Sequence, residues 1–305
     1  MPIEESKYIW MNGELVPWRE ARIHILSHVI HYGSGVFEGI RCYRTKRGPA
    51  VFRLGDHIRR LFHSAKAYFM EIPYTQEELQ KACVEVVRAN GLEECYIRPI
   101  VYRGYGKMGL NPLNCPVEVA VAAWRWGRYL GRAFEEGARV IVSSWRRISS
   151  ETLPTTAKGC GHYLNSQLAK VEAIKAGCDE AIMLNVDGYV SEGTGENFFI
   201  VRDGVLYTPP VEASILPGIT RDTVMRLASD MGYRVVERFM SRGEIYTADE
   251  CFFTGTAVEI VPVVVVDGRP IGDGKPGPVT RRIQEAYLRV VRGEDSRYED
   301  WLTYV

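Results

Sequence analysis

A lysine amine attacks carbonyl carbon once its surroundings lower its pKa, and this 305-residue chain carries only nine lysines beside 29 arginines. Lys66, Lys81, Lys170 and Lys175 fall on helical stretches among charged neighbours, and Lys7, Lys46, Lys107 and Lys275 in turn-like sequence. Lys158 differs: it stands in Thr155-Thr-Ala-Lys158-Gly-Cys-Gly-His-Tyr163, where small residues would let a flat ring approach the backbone. A surface loop is the alternative reading. In Ser191-Glu192-Gly-Thr-Gly-Glu196-Asn197 the two glycines would let Glu192 come close to a ring nitrogen, or the segment is an acidic turn in water. Leu216-Pro-Gly-Ile-Thr220-Arg-Asp222 feeds a helix whose first N–H groups favour a phosphate, with the Thr220 hydroxyl beside them; a plain turn capped by Thr220 would look the same. Thr254-Gly-Thr256-Ala257 ends a strand and offers further donors.

The elements needed to place these segments are partly readable. Tyr8–Met11 and Glu14–Val16 flank Asn12-Gly13, a hairpin signal because Asn-Gly accepts the positive φ of a type I′ turn. Asp56 is placed to cap a helix with Ile58, Leu61, Phe62, Ala65 and Phe69 on one face, which leaves Arg60 on the solvent side. Thr75 and Glu78 form a capping box for a helix that stops at Gly91. Strands are expected at 96–102, 117–124 and 138–145, and helices at 162–176 and 219–231. Asp-Gly pairs at 187, 203 and 267 predict tight antiparallel turns. The pattern lacks a regular βαβ alternation and predicts an α+β, mixed α/β chain. Its division is a small domain over 1–124, a linker over 125–134 and a large domain over 135–305.

Charge and cysteine content narrow the function. With 38 basic and 38 acidic residues and no basic tract, no nucleic-acid partner is expected. No apolar run reaches the roughly 20 residues of a membrane span, and the N-terminus shows no apolar signal segment. Seven scattered cysteines without a C-x-x-C pair read as reduced thiols of a cytoplasmic protein. His24, His28 and His31 have helical spacing for a metal, but no carboxylate completes a known arrangement, so no metal is assigned.

Taken together and in order, the four segments resemble the branched-chain amino acid aminotransferases, pyridoxal-phosphate enzymes of fold type IV with a D-amino-acid-aminotransferase-like fold. The likeness runs nearly end to end, from His31-Tyr-Gly-Ser-Gly-Val-Phe-Glu-Gly-Ile-Arg41 through Phe52-Arg-Leu-Gly-Asp-His-Ile-Arg-Arg60 and Tyr96-Ile-Arg98-Pro to Thr254-Gly-Thr-Ala-Val-Glu259. The resemblance implies that Lys158 is the Schiff-base lysine and proton shuttle, that Glu192 meets the pyridine nitrogen, and that Tyr163 donates to the phenolate oxygen. Arg60, Leu216, Ile219, Thr220 and Thr256 would complete the cofactor site, mostly at the phosphate. Tyr32, Phe37, Gly39, Trp126 and Tyr129 would line an apolar substrate pocket, and Tyr96, Arg98 and Ala257 would receive carboxylates. Trp126 and Tyr129 fall in the linker, so the site is expected between the domains.

The reaction implied is transamination of L-leucine, L-isoleucine or L-valine with 2-oxoglutarate, by a homodimer or larger homo-oligomer with its site near the subunit interface. Segment 104–112 resembles a loop that covers the site in relatives, often from the neighbouring subunit. His162 replaces an Asn common in relatives, which could alter local hydrogen bonds or the pH response. A D-amino-acid aminotransferase shares fold and lysine, but its Arg-x-His pair is missing from 103–109. An aminodeoxychorismate-lyase-like activity is the other alternative.

Overall fold

The computed structural model describes residues 3–127 and 130–305. The chain divides into two compact units: Met1–Gly127 with Ala157–Gly161 and Val290–Val305, and Arg128–Thr156 with His162–Arg289. Lys158 thus belongs to the first.

The first unit is built on an eight-stranded sheet. Its order is Leu302–Tyr304, Gly48–Phe52, Ile40–Thr45, Cys95–Arg103, Val117–Arg125, Tyr8–Met11 and Glu14–Pro17, and Gly35–Phe37 also pairs with Cys95–Arg103. All these pairings are antiparallel. The Asn12-Gly13 turn closes its hairpin as expected, with φ of 49° and 101°. Period 2 is visible in Val117–Arg125, where Val119, Val121 and Ala123 are buried against the helices. Helix Gln76–Ala89 begins on the Thr75–Glu78 capping box and buries Leu79, Ala82, Cys83, Val86 and Val87. Helix Leu54–Ala67 buries Leu54, Ile58, Leu61 and Ala65.

Two details of that helix depart from the sequence expectation. Asp56 is not its cap: the helix opens one turn earlier, after Arg53, and Asp56 instead takes the Arg53 Nε–H at 2.6 Å. Phe69 lies beyond the last turn at φ 55° and is 80% exposed, so it leaves the core stripe.

The second unit holds a nine-stranded mixed sheet. The order is Val190–Gly193, Glu180–Leu184, Ala138–Arg146, Glu259–Val266, Glu250–Gly255, Asn197–Arg202, Val205–Thr208 and Val235–Glu237, with Arg269–Pro270 alongside Glu259–Val266. Ala138–Arg146 runs parallel to both neighbours. All three Asp-Gly pairs make the antiparallel turns expected of them. Glu180–Leu184 and Phe198–Val201 are buried at every position, which erases alternation from their sequences. Helices Tyr163–Lys175 and Ile219–Asp230 accompany the sheet. Antiparallel pairing dominates both units, and the fold is α+β.

Candidate functional site

In the first unit Lys158 is fixed by its backbone. Its N–H donates to Ser64 Oγ at 2.9 Å, its carbonyl accepts from the Phe37 N–H at 3.1 Å, and Gly159 bridges to Val36. Ser64 is fully buried on helix Leu54–Ala67. The Lys158 ammonium lies 5.1 Å from the centre of the Phe37 ring, and the Arg98 guanidinium carbon lies 4.5 Å from the same centre. Both separations suit attraction to a π face. Arg98 Nη2 donates to the Tyr96 hydroxyl at 3.3 Å, while its Nε is buried without a hydrogen-bond partner. A donor left so costs free energy unless an acceptor arrives. Tyr96 packs on Trp126 with ring centres 4.8 Å apart.

Gly39 completes this group by lacking a side chain: a Cβ there would fall 1.8 Å from the Tyr96 hydroxyl. Phe37, Gly39, Tyr96, Arg98, Trp126 and Lys158 are therefore neighbours. Tyr32 stands outside them. It ends the short helix His28–Tyr32, is exposed, and stacks on His28 with centres 4.5 Å apart. Tyr129 lies outside the described residues. Cys160 presses on Gly35, where a Cβ would come within 3.1 Å of its sulfur, and burial raises its thiol to about 11 against the lowering effect of Arg98.

Arg60 shows how helical periodicity misleads. The solvent side assigned to it is occupied by Glu38: Arg60 Nε donates to Glu38 Oε1 at 2.6 Å and Nη2 to Oε2 at 2.9 Å, leaving the arginine side chain only 12% exposed. His57 Nδ1, 2.7 Å from Glu38 Oε2, completes the group. Burial alone would raise the Glu38 carboxyl, but Arg60 and His57 hold it far below the usual range. Burial pushes His57 down despite Glu38, so a neutral imidazole donates to the carboxylate. Glu38 and His57 have no role in the sequence reading, because no local pattern links position 38 to position 60.

In the second unit Glu192 is buried on strand Val190–Gly193. Oε1 accepts from Arg147 Nε at 2.8 Å, and Oε2 from Asn197 Nδ2 at 2.9 Å and from the Leu216 N–H at 3.1 Å. Both carboxylate oxygens thus accept from N–H donors. Arg147 and Asn197 were missed from sequence, although Asn197 stands in the quoted glycine-rich segment. Helix Ile219–Asp230 begins after Gly218, which gives no side-chain cap; Thr220 is its second residue and buried, so it is a donor in the first turn rather than the cap. Thr256 and Ala257 lie half-buried in the turn between Glu250–Gly255 and Glu259–Val266. Tyr163 opens helix Tyr163–Lys175. His162 is buried, and burial with Arg147 lowers it to about 4, so it is neutral near pH 7.

The donor sets suit pyridoxal phosphate. The uncapped helix start with Thr220, and Thr256, offer donors for a phosphate dianion. Glu192, a carboxylate backed by a guanidinium, suits a pyridinium N–H. Lys158 supplies the amine and the orphaned Arg98 Nε a donor for a carboxylate.

Comparison with known proteins agrees. Residues 35–266 match the family described as amino-transferase class IV. The branched-chain-amino-acid aminotransferase of Escherichia coli (strain K12) is 48% identical over 307 residues, covering 100% of this chain and 99% of its own. The crystal structure of the E. coli enzyme superposes with a TM-score of 0.96 at 49% identity, covering 98% and 99% of the two chains. A T.th. branched-chain amino acid aminotransferase with pyridoxamine 5′-phosphate also gives 0.96, at 53% identity over the same shares.

Proposed function

The chain belongs to the class IV aminotransferases, and we propose from that footing that it transfers the amino group of L-leucine, L-isoleucine or L-valine to 2-oxoglutarate, giving the branched 2-oxo acid and L-glutamate. It is a pyridoxal-phosphate enzyme of fold type IV. The observation that carries the substrate reading is the Lys158 amine over Phe37, with Arg98 and Tyr96 beside it.

Bound pyridoxal phosphate supplies the electron sink that makes the substrate Cα proton removable. Lys158 would provide the amine for the cofactor's carbonyl carbon and would take and return the proton at substrate Cα. Glu192, with Arg147 donating to it, would accept from the pyridine N–H, and Tyr163 would donate to the ring oxygen. Arg60, held by Glu38, would offer its guanidinium to the phosphate; in the second unit Thr256 and the helix start at Ile219 and Thr220 would offer their own donors, and Leu216 would lie by the ring. Phe37 and Trp126 would receive an apolar side chain in one half-reaction. In the other, Arg98 with Tyr96 receives the second carboxylate of glutamate, and Ala257 helps seat the carboxylate common to both substrates.

Assembly and location belong to the same proposal. Exposed Ile25, Leu26, Ile30, Tyr32, Leu110 and Leu113 lie on two segments that adjoin through the His28 Nε2 contact to the Gly109 carbonyl. Such an apolar surface favours coverage by a second copy, which supports a homo-oligomer of at least two chains. All seven cysteines are thiols, and no described helix is long and apolar enough to cross a membrane, in keeping with a cytoplasmic enzyme.

An amino-donor panel with 2-oxoglutarate tests the reading. Glutamate formation from leucine, isoleucine and valine is expected. Turnover of D-alanine or aminodeoxychorismate in their place would overturn it.

A further inference from the structure

The carboxylate assigned to the ring nitrogen and the helix start assigned to the phosphate are separate stretches of chain, and a single amide touches both. Asn197 Nδ2 donates to Glu192 Oε2 and to the Leu216 carbonyl, each at 2.9 Å. Its Oδ1 faces Gly218, where a Cβ would lie 1.9 Å away. Asn197 is 5% exposed and leads strand Asn197–Arg202, whose first residue pairs with Thr254. We propose that Asn197 is a positioning residue that keeps Glu192 and the Leu216–Thr220 segment at a fixed spacing, so that the ring and phosphate ends of pyridoxal phosphate are gripped together. The proposal rests on the cofactor reading above.

Chemistry restricts what could replace it. An amide offers two N–H groups and an oxygen at one end; aspartate has the same shape but no N–H to give. Asn197→Asp would set an acceptor against two acceptors, Glu192 Oε2 and the Leu216 carbonyl. Gly218 allows the same relationship to be disturbed from the other side. Its φ of −71° and ψ of 135° are open to any residue, so alanine there meets no backbone strain. The main obstacle to its Cβ is Asn197 Oδ1, with Arg221 Cβ farther off at 3.3 Å. Gly218→Ala therefore pushes on Asn197 while removing no polar group. Adding Asn197→Ser withdraws the obstruction.

The test is titration of pyridoxal phosphate, and of pyridoxal without the phosphate, into cofactor-stripped protein. The readouts are the dissociation constants, the pH midpoint of the bound cofactor's visible band, and circular dichroism as a check on folding. Asn197→Asp and Gly218→Ala are each expected to weaken pyridoxal phosphate about tenfold or more. Both should shift the pH midpoint, and both should lower the advantage of pyridoxal phosphate over pyridoxal, since the phosphate no longer sits in register with the ring. Asn197→Ser in the Gly218→Ala background relieves the clash but also removes the amide, so it should recover none of that advantage; full recovery would show that the clash alone was responsible and would overturn the positioning role. Folded single variants with wild-type constants, midpoint and phosphate advantage would overturn the proposal while leaving the function intact. Wild-type protein that takes up no pyridoxal phosphate would instead overturn the function reading, and the proposal with it.

Discussion

Phe37 and Lys158 are joined twice, once through the backbone, where the Phe37 N–H donates to the Lys158 carbonyl at 3.1 Å, and once where the ammonium lies 5.1 Å from the ring centre. The first contact fixes the lysine's stem and the second its reactive end. Lys158→Ala should abolish turnover. Phe37→Leu keeps the backbone contact and loses the π face, so kcat/KM for leucine should fall by about tenfold, corresponding to a cation–π contribution of about 1 to 2 kcal/mol. Steady-state kinetics checks both, and unchanged kinetics for Phe37→Leu would count against the ring contact.

Arg98 shares that ring and carries the orphaned Nε. Arg98→Ala should slow the glutamate half-reaction more than the leucine half-reaction, because only glutamate brings a second carboxylate. Single-turnover absorbance with each amino acid separates the two. Equal slowing would remove Arg98 from side-chain recognition.

Glu38→Gln should destabilise the first unit by about 3 kcal/mol, since it leaves the largely buried Arg60 guanidinium without its counter-charge. The pH dependence has a definite sign. The folded carboxyl is depressed below its ordinary value of 4.5, so its contribution is present above that pH and is lost as pH falls toward the folded value. Denaturant titrations should show the wild type losing more stability than Glu38→Gln below about pH 4.5.

Glu196 carries the opposite sign. Burial and Glu180 raise its carboxyl from 4.5 to about 8. The folded state therefore holds a proton that the unfolded state has released, and stability falls as pH rises from about 4.5 through about 8. Glu196→Gln should flatten that slope and gain on the wild type at pH 8.5. Melting curves at pH 5 and pH 8.5 would expose a wrong sign at once.

What could be read from sequence was local. The Asn12-Gly13 hairpin, the Thr75–Glu78 capping box and the three Asp-Gly turns each depend on residues within four positions, and each forms as expected. Asp56 failed as a cap because the helix starts earlier, after Arg53, which is left-handed and donates its N–H to the distant Trp301 carbonyl at 2.7 Å. The supports of the candidate site were hidden for a related reason. Glu38 lies 22 positions from Arg60, and Arg147 lies 45 from Glu192. Likeness to relatives supplied Arg60 and Glu192 themselves but not the side chains that hold them. His162 is a further case: its identity suggested a pH response, whereas burial keeps it neutral down to about pH 4.

Cys160 stands two residues from the amine assigned to carbonyl chemistry, and a thiol is an able competitor for the same electrophile. Only its thiolate competes. With the thiol raised to about 11, on the order of one molecule in ten thousand carries that thiolate at pH 7. The same burial that packs the sulfur on Gly35 thus silences it as a rival nucleophile, making this corner of the fold a source of chemoselectivity as well as of shape.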